Sequence, residues 1–166
     1  LKKARYRLAF DELLKLQLGM LMLKKRNRQK TGYIMNPEIK TDEFTENLPF
    51  ELTSAQKKAA DEIISDMCRS EPMNRLLQGD VGSGKTAVAA CAVYFAYKNN
   101  CQSALMAPTE ILAVQHYNTL SSYLEPFGIK VCLLTGSLPQ KQKSEIKAGI
   151  KNGDYSLIVG THAIIQ

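Results

Sequence analysis

From Leu52 onward, short apolar runs alternate with longer stretches in which apolar residues recur every three or four positions. The runs fall at 74–78 (NRLLQ), 103–107 (SALMA), 130–134 (KVCLL) and 156–160 (SLIVG), and the helical periods at 54–69, 85–98, 110–124 and 140–151. Short apolar strands separated by helices of roughly a dozen residues are the pattern of βαβ units. The fold class expected is therefore α/β: a parallel sheet with helices on both faces, joined by right-handed crossovers. Strand order stays open. Ahead of this region, Leu8, Leu13, Leu14, Leu16, Leu18, Met20, Leu21 and Leu23 are interleaved with basic residues and no proline from Arg5 to Arg28. Leu, Met, Lys, Arg and Gln are all good helix formers, so one long helix is expected, docking an apolar stripe on a partner that can lie outside the chain. Residues 29–50 are polar, hold Pro37, Pro49 and Gly32 and show no period, as expected of a linker between bodies.

Composition narrows the class without naming a function. The 166 residues suit one domain of roughly 100–200 residues, and 45% apolar with 23% charged residues is ordinary for a globular chain. No apolar run reaches the roughly 18 residues of a membrane span, so a soluble, cytoplasmic protein with no membrane partner is expected. Cys68, Cys91, Cys101 and Cys132 form no C-x-x-C pair, and His116 and His162 stand far apart, so neither a disulfide nor a zinc site is expected. The net charge of +6 is unevenly spread: residues 1–30 carry ten Lys or Arg against Asp11 and Glu12, and the rest of the chain is slightly acidic. A basic N-terminal helix can be a nucleic-acid footprint or simply a solvated face, and charge alone does not choose.

The segment with chemistry is Gly79-Asp80-Val81-Gly82-Ser83-Gly84-Lys85-Thr86, which fits G-x-x-x-x-G-K-[ST] between an expected strand and an expected helix. The glycines allow a sharp bend with N–H groups turned inward, and the following helix N-terminus reinforces this anion cradle. Lys85 would bring a point charge to the β and γ phosphates, and Thr86 a hydroxyl to Mg²⁺. Neither an N-K-x-D guanine reader nor an L-S-G-G-Q segment is present. Upstream, Thr53-Ser54-Ala55-Gln56 supports two readings: Gln56 can read an adenine edge, because its amide both donates and accepts, or Thr53 and Gln56 can form a capping box. The two can coexist.

LTSAQ, PMNRLLQGDVGSGKT, ALMAPTEILAVQH, LLTGS and IVGTHAIIQ together resemble the first motor domain of superfamily 2 helicases, in particular the RecG family of branched-DNA helicases. The N-terminal RLAFDELLKLQLGM resembles that family's helix between its wedge region and its motor. The resemblance implies a RecA-like P-loop NTPase domain over 51–166, cut short at its C-terminal end, after a basic linker helix (1–30) and a linker (31–50). It implies ATP and Mg²⁺ as cofactors, with Phe50, Thr53 and Gln56 around the adenine and Gly79 to Thr86 on the phosphates and metal. Pro108, Thr109, Glu110, Thr135, Gly136, Ser137, Thr161 and His162 would face the DNA backbone, where hydroxyl and N–H contacts carry no sequence information. The implied function is ATP-dependent remodelling of branched or duplex DNA, such as stalled forks and Holliday junctions, in recombination and repair, together with the remaining motor and wedge domains.

The chain lacks the acidic D-E-x-H segment with which this family holds Mg²⁺ and polarises water, so a fragment that binds ATP without turning it over is expected. Two other readings compete: a nucleotide-dependent DNA scaffold without hydrolysis, and the related transcription-repair coupling translocase. Ser83 and Glu110-Ile111 favour the RecG pattern over the latter.

Overall fold

The computed structural model describes residues 2–28 and 32–165, and side chains within these except those of 23–28. In chain order the elements are α1 (Lys2–Arg28), α2 (Asp42–Glu46), α3 (Ser54–Met67), α4 (Lys85–Lys98), β1 (Ser103–Met106), α5 (Glu110–Leu124), β2 (Val131–Leu134), α6 (Gln140–Asn152) and β3 (Leu157–Gly160). The three strands form one parallel sheet in the order β1-β3-β2. The bounds of α4 and α5 coincide with the sequence expectation, because each begins at a sharp signal: the phosphate-loop glycine Gly84 before α4, and the Thr109 N-cap before α5.

Side-chain alternation splits the core. Val131, Leu157 and Val159 point to one face and pack with α3, α4 and α5, while Cys132, Leu134 and Ile158 point to the other, beneath Leu138, Ile146 and Ile150 of the α6 region. Helices thus cover both faces, as a parallel sheet requires. Helix α4 lies deepest. Its alanines let neighbouring elements approach closely, and Ala90, Cys91, Tyr94 and Phe95 are fully buried.

Two expectations change. Residues 74–78 form no strand: Leu76 is 86% exposed, and the sheet has no neighbour hydrogen-bonded to this segment. An extended run without a ladder partner leaves its backbone to water, however apolar its sequence. Arg75 instead ties the run to α3 through Glu62 at 2.6 Å and Asp66 at 2.7 Å. The described part of the expected linker, 32–50, is docked rather than loose. It contains α2, whose Phe44 is fully buried against Tyr94 and Phe127 at centroid distances of 5.0 and 5.3 Å. The Asn36 N–H donates to buried Asn99 at 2.7 Å, and Glu43 accepts from the Tyr94 hydroxyl at 2.6 Å. Its polar composition concealed a single aromatic anchor. Helix α1 forms as expected, and its apolar side chains are open in this chain: Tyr6, Leu8, Leu13, Leu16, Met20 and Met22 are all more than half exposed. No helix among the described residues is long and apolar enough to cross a membrane.

Candidate functional site

The phosphate-loop candidates connect the extended 74–78 run to α4. Within the loop, the Ser83 N–H donates to the Asp80 carbonyl at 3.2 Å, closing a turn that leaves Val81 wholly exposed at its tip. Gly82 and Gly84 have φ of 82° and 78°, a left-handed conformation that glycine takes without steric cost. Gly84 has a second constraint, since a Cβ there would run into the Gln56 side-chain amide. A Cβ on Gly79 would lie 2.6 Å from the Ser83 hydroxyl oxygen. As the N-cap of α4, Gly84 accepts from Ala87 and Val88, while the N–H groups of Lys85 and Thr86 at the helix start have no intrahelical acceptor and are available to an anion.

Lys85 is the first residue of α4, and its side chain folds back over the loop. Its Nζ donates to the Gly79 carbonyl at 2.7 Å and the Asp80 carbonyl at 2.6 Å, and lies 3.4 Å from the Ser83 hydroxyl. A cation is thereby held at the loop's mouth by neutral acceptors, and a phosphate oxygen would give it a stronger, charge-assisted partner. Thr86, one position along, is half-buried with no hydrogen bond from its hydroxyl to the described residues. The donor chemistry fits a magnesium ion that takes most of its ligands from phosphates and water, with Thr86 as one protein ligand. No group of three His, Cys, Asp or Glu side chains that could hold a metal exists among the described residues.

Both readings of Thr53 to Gln56 meet in one side chain. The capping box is complete: the Gln56 N–H donates to Thr53 Oγ1 at 3.3 Å, and Gln56 Oε1 accepts from the Thr53 N–H at 2.8 Å. Gln56 Nε2 then donates to the Ser83 carbonyl inside the phosphate loop at 2.9 Å. A primary amide offers two lone pairs and two hydrogens. One of each is used, so one acceptor and one donor remain on an amide plane that the cap and the loop have already fixed. Phe50 is 39% exposed, and its ring meets Tyr123 of α5 edge-on at 5.8 Å.

The remaining candidates gather at the carboxyl ends of the three strands. After β1, Thr109 caps α5, its Oγ1 accepting from the Leu112 N–H at 3.3 Å, which leaves the hydroxyl proton free to donate. Pro108 and Thr109 are exposed. After β2, Thr135 is buried with its hydroxyl 3.2 Å from that of Ser137, and Gly136 and Ser137 are exposed. After β3, Thr161 is half-buried and His162 exposed at the start of a short 3-10 turn. The strand ends are laced together: Ala107 N–H donates to the Gly160 carbonyl at 2.8 Å and Thr161 N–H to the Leu134 carbonyl at 3.4 Å. Only glycine fits at 160, where a Cβ would collide with the Leu134 carbonyl oxygen.

Glu110 behaves differently from its neighbours. Its carboxylate accepts from the Ser137 N–H at 2.9 Å, joining the α5 start to the loop after β2. The Ser137 hydroxyl and N–H, with the Gly136 N–H and Lys143, hold its carboxyl below the usual carboxylate range. Lys143 Nζ in turn donates to the Gly136 carbonyl. Sequence reasoning missed Lys143 altogether; its only signal was a lysine in the first turn of a helix that follows a candidate loop. The candidates thus form two groups, Thr53/Gln56 with the phosphate loop, and the three strand-end loops, with no hydrogen bond between the groups among the described residues.

A phosphate-loop sequence opening a helix, an amide tied into it, and polar loops at the carboxyl ends of a parallel sheet are the architecture of a P-loop NTPase domain. The DEAD/DEAH box helicase family matches residues 53–166, and the chain belongs to that family. Its relatives include RecG: it is 47% identical over its whole length to the ATP-dependent DNA helicase RecG of Thermotoga maritima, and 46% identical over nearly all of its length to that of Aquifex aeolicus. It spans about a fifth of the length of these curated relatives. The solved structure of RecG bound to a three-way DNA junction superposes with a TM-score of 0.89 at 46% identity, covering 99% of this chain and 23% of that one. A hypothetical ATP-dependent RNA helicase from Sulfolobus tokodaii, at 20% identity and TM-score 0.56 over 75% of this chain and 34% of its own, shares the fold.

Proposed function

We propose that this chain is the nucleotide-binding part of a RecG-type motor that uses ATP with Mg²⁺ to translocate on duplex DNA and remodel branched structures such as stalled forks and Holliday junctions. The observation that carries the reading is the bond from Gln56 to the Ser83 carbonyl, which makes the adenine-reading candidate and the phosphate cradle one unit. The unused N–H and lone pair of Gln56 match the N7 acceptor and N6 donor of adenine, a pairing that guanine reverses at its sixth position. Lys85 and the first-turn N–H groups of α4 would take the β and γ phosphates, and Thr86 one site on the metal. Bound magnesium would neutralise charge on the phosphates. The exposed or half-buried hydroxyls of Thr109, Ser137 and Thr161 would meet DNA phosphates, a contact that suits stepping on any sequence, whereas buried Thr135 would support Ser137 from within the loop.

The test is fork remodelling by the full-length protein that carries this chain, supplied with ATP, against its Lys85→Ala variant. The reading expects ATP-dependent strand exchange on forked DNA in the first and none in the second, with fork binding retained. Remodelling that survives Lys85→Ala contradicts it. Fork binding that depends on nucleotide with no hydrolysis in either protein points to a scaffold instead.

A further inference from the structure

Resting on the reading of the strand-end loops as a DNA-backbone surface, we propose that Glu110 is not a DNA contact but a positioning residue that, with Lys143, holds the 135–137 loop in its phosphate-receiving shape. Two charged groups from two different helices converge on one peptide unit. Glu110, in the first turn of α5, takes the Ser137 N–H at 2.9 Å. Lys143, in the first turn of α6, gives a proton to the Gly136 carbonyl, the other end of the same amide link. The peptide between Gly136 and Ser137 is therefore gripped at both its C=O and its N–H, and cannot rotate without breaking a charge-assisted bond on each side.

The grip also fits the loop's shape. A Cβ on Gly136 would stand 3.3 Å from Glu110 Oε1, so the carboxylate sits tightly against the backbone. Within the loop, the buried Thr135 hydroxyl lies 3.2 Å from that of Ser137, and the Ser137 hydroxyl also reaches the Glu110 carboxylate, so Glu110 holds Ser137 by its side chain as well as its N–H. The clamp thus links the β1–α5 turn, which carries Thr109, to the β2–α6 turn, so that hydroxyls from two strand ends keep a fixed spacing. A carboxylate among groups that receive phosphate is unfavourable as a contact, since like charges repel, and is intelligible if its work is done on the protein side.

The two roles predict opposite signs. If Glu110 merely faced DNA, its removal would take away a repulsive charge and tighten binding. As a clamp, its removal frees the loop and weakens binding. In the full-length protein, Glu110→Ala should weaken fork affinity by about three- to tenfold at fixed salt, the range expected when one positioned phosphate-binding group is lost. Glu110→Gln, which keeps an acceptor for the Ser137 N–H, should recover most of that loss. Hydrogen exchange gives a readout independent of DNA: the Ser137 amide should be protected in the wild type, fast in Glu110→Ala and intermediate in Glu110→Gln. Affinity for ATP should stay unchanged, because the carboxylate makes no contact with the phosphate loop.

Tighter fork binding by Glu110→Ala, or unchanged binding and exchange, overturns the proposal. A Thr109→Ala,Thr161→Ala double variant separates this from failure of the DNA-surface reading itself. If the double variant weakens fork binding and Glu110→Ala does not, only the clamp is wrong; if neither weakens it, the strand-end loops are not the DNA surface. Should Glu110→Ala fail to fold, the Gln variant and Lys143→Gln, which frees the carbonyl end of the peptide, carry the same comparison.

Discussion

The Gln56 side chain serves two partners, the Thr53 N–H and the Ser83 carbonyl, and adenine would be a third; substitutions can take them apart. Gln56→Glu keeps an oxygen for the Thr53 N–H, because glutamate completes a capping box as well as glutamine does, but it has no hydrogen to give the Ser83 carbonyl. Its melting temperature should stay near the wild-type value while its preference for ATP over GTP disappears, measurable by competition of the two nucleotides. Gln56→Ala should lose the side-chain bonds to both the Thr53 N–H and the Ser83 carbonyl while Thr53 still caps α3, with a stability cost of about 1 kcal/mol, in the range of a lost hydrogen bond. Gly84→Ala is a harsher change at the same place: a left-handed φ of 78° and a Cβ driven into the Gln56 amide act together. A non-glycine residue held in that region costs about 1–3 kcal/mol, and chemical denaturation should report at least that much.

At the level of elements, the docked segment 32–50 separates composition from structure. Phe44 lies fully buried between Tyr94 and Phe127, so Phe44→Ala should destabilise the chain by about 3–5 kcal/mol, the range for a large aromatic removed from a core. A surface-like loss of a few tenths of a kcal/mol in urea titration would refute the docking. The same segment carries a pH signature. Hydrogen bonds from the Tyr94 hydroxyl and then Lys98 hold the Glu43 carboxyl below its ordinary value. A carboxylate whose folded pKa lies below its unfolded one contributes stability that is full above the unfolded value and vanishes as pH falls through the folded one. Glu43→Gln should therefore lower the melting temperature at neutral pH, and the difference from the wild type should shrink as the pH falls below the ordinary carboxylate range toward the lowered folded value.

What was legible in the sequence follows from whether the signal was local. Helices α4 and α5 begin at glycine and threonine signals that act on their own backbone, and β1, β2 and β3 are apolar runs that find parallel partners. The 74–78 run has the same apolar look and no ladder, because pairing is decided by neighbours in space that no local pattern records. The capping box could be read from spacing alone. The bond from Gln56 to Ser83, across 27 positions, could not, nor could the bond from Glu110 to Ser137. Phe44 was hidden because Tyr33, Phe44 and Phe50 are too widely spaced in this polar stretch to make a period.

For the molecule as a whole, the boundary of the folded unit lies earlier than the phosphate loop suggests. The α1 side chains described are exposed except half-buried Asp11, with Tyr6 at 78% and Leu21 at 59%, so a chain starting at Gly32 should melt cooperatively near the temperature of the full sequence. A chain starting after Leu48 should not, because it lacks Phe44 and the aromatic cluster built on it. Circular dichroism melts of the two truncations decide between them.

The account stands most directly on calorimetric titration of the folded chain with ATP and Mg²⁺, alone and with Lys85→Ala. Saturable binding at one site in the wild type, weakened about tenfold or more by the loss of a charge-assisted bond to phosphate, is the predicted result. Equal affinity in the two proteins, with both shown to be folded, would contradict the assignment of Gly79 to Thr86 as a phosphate cradle.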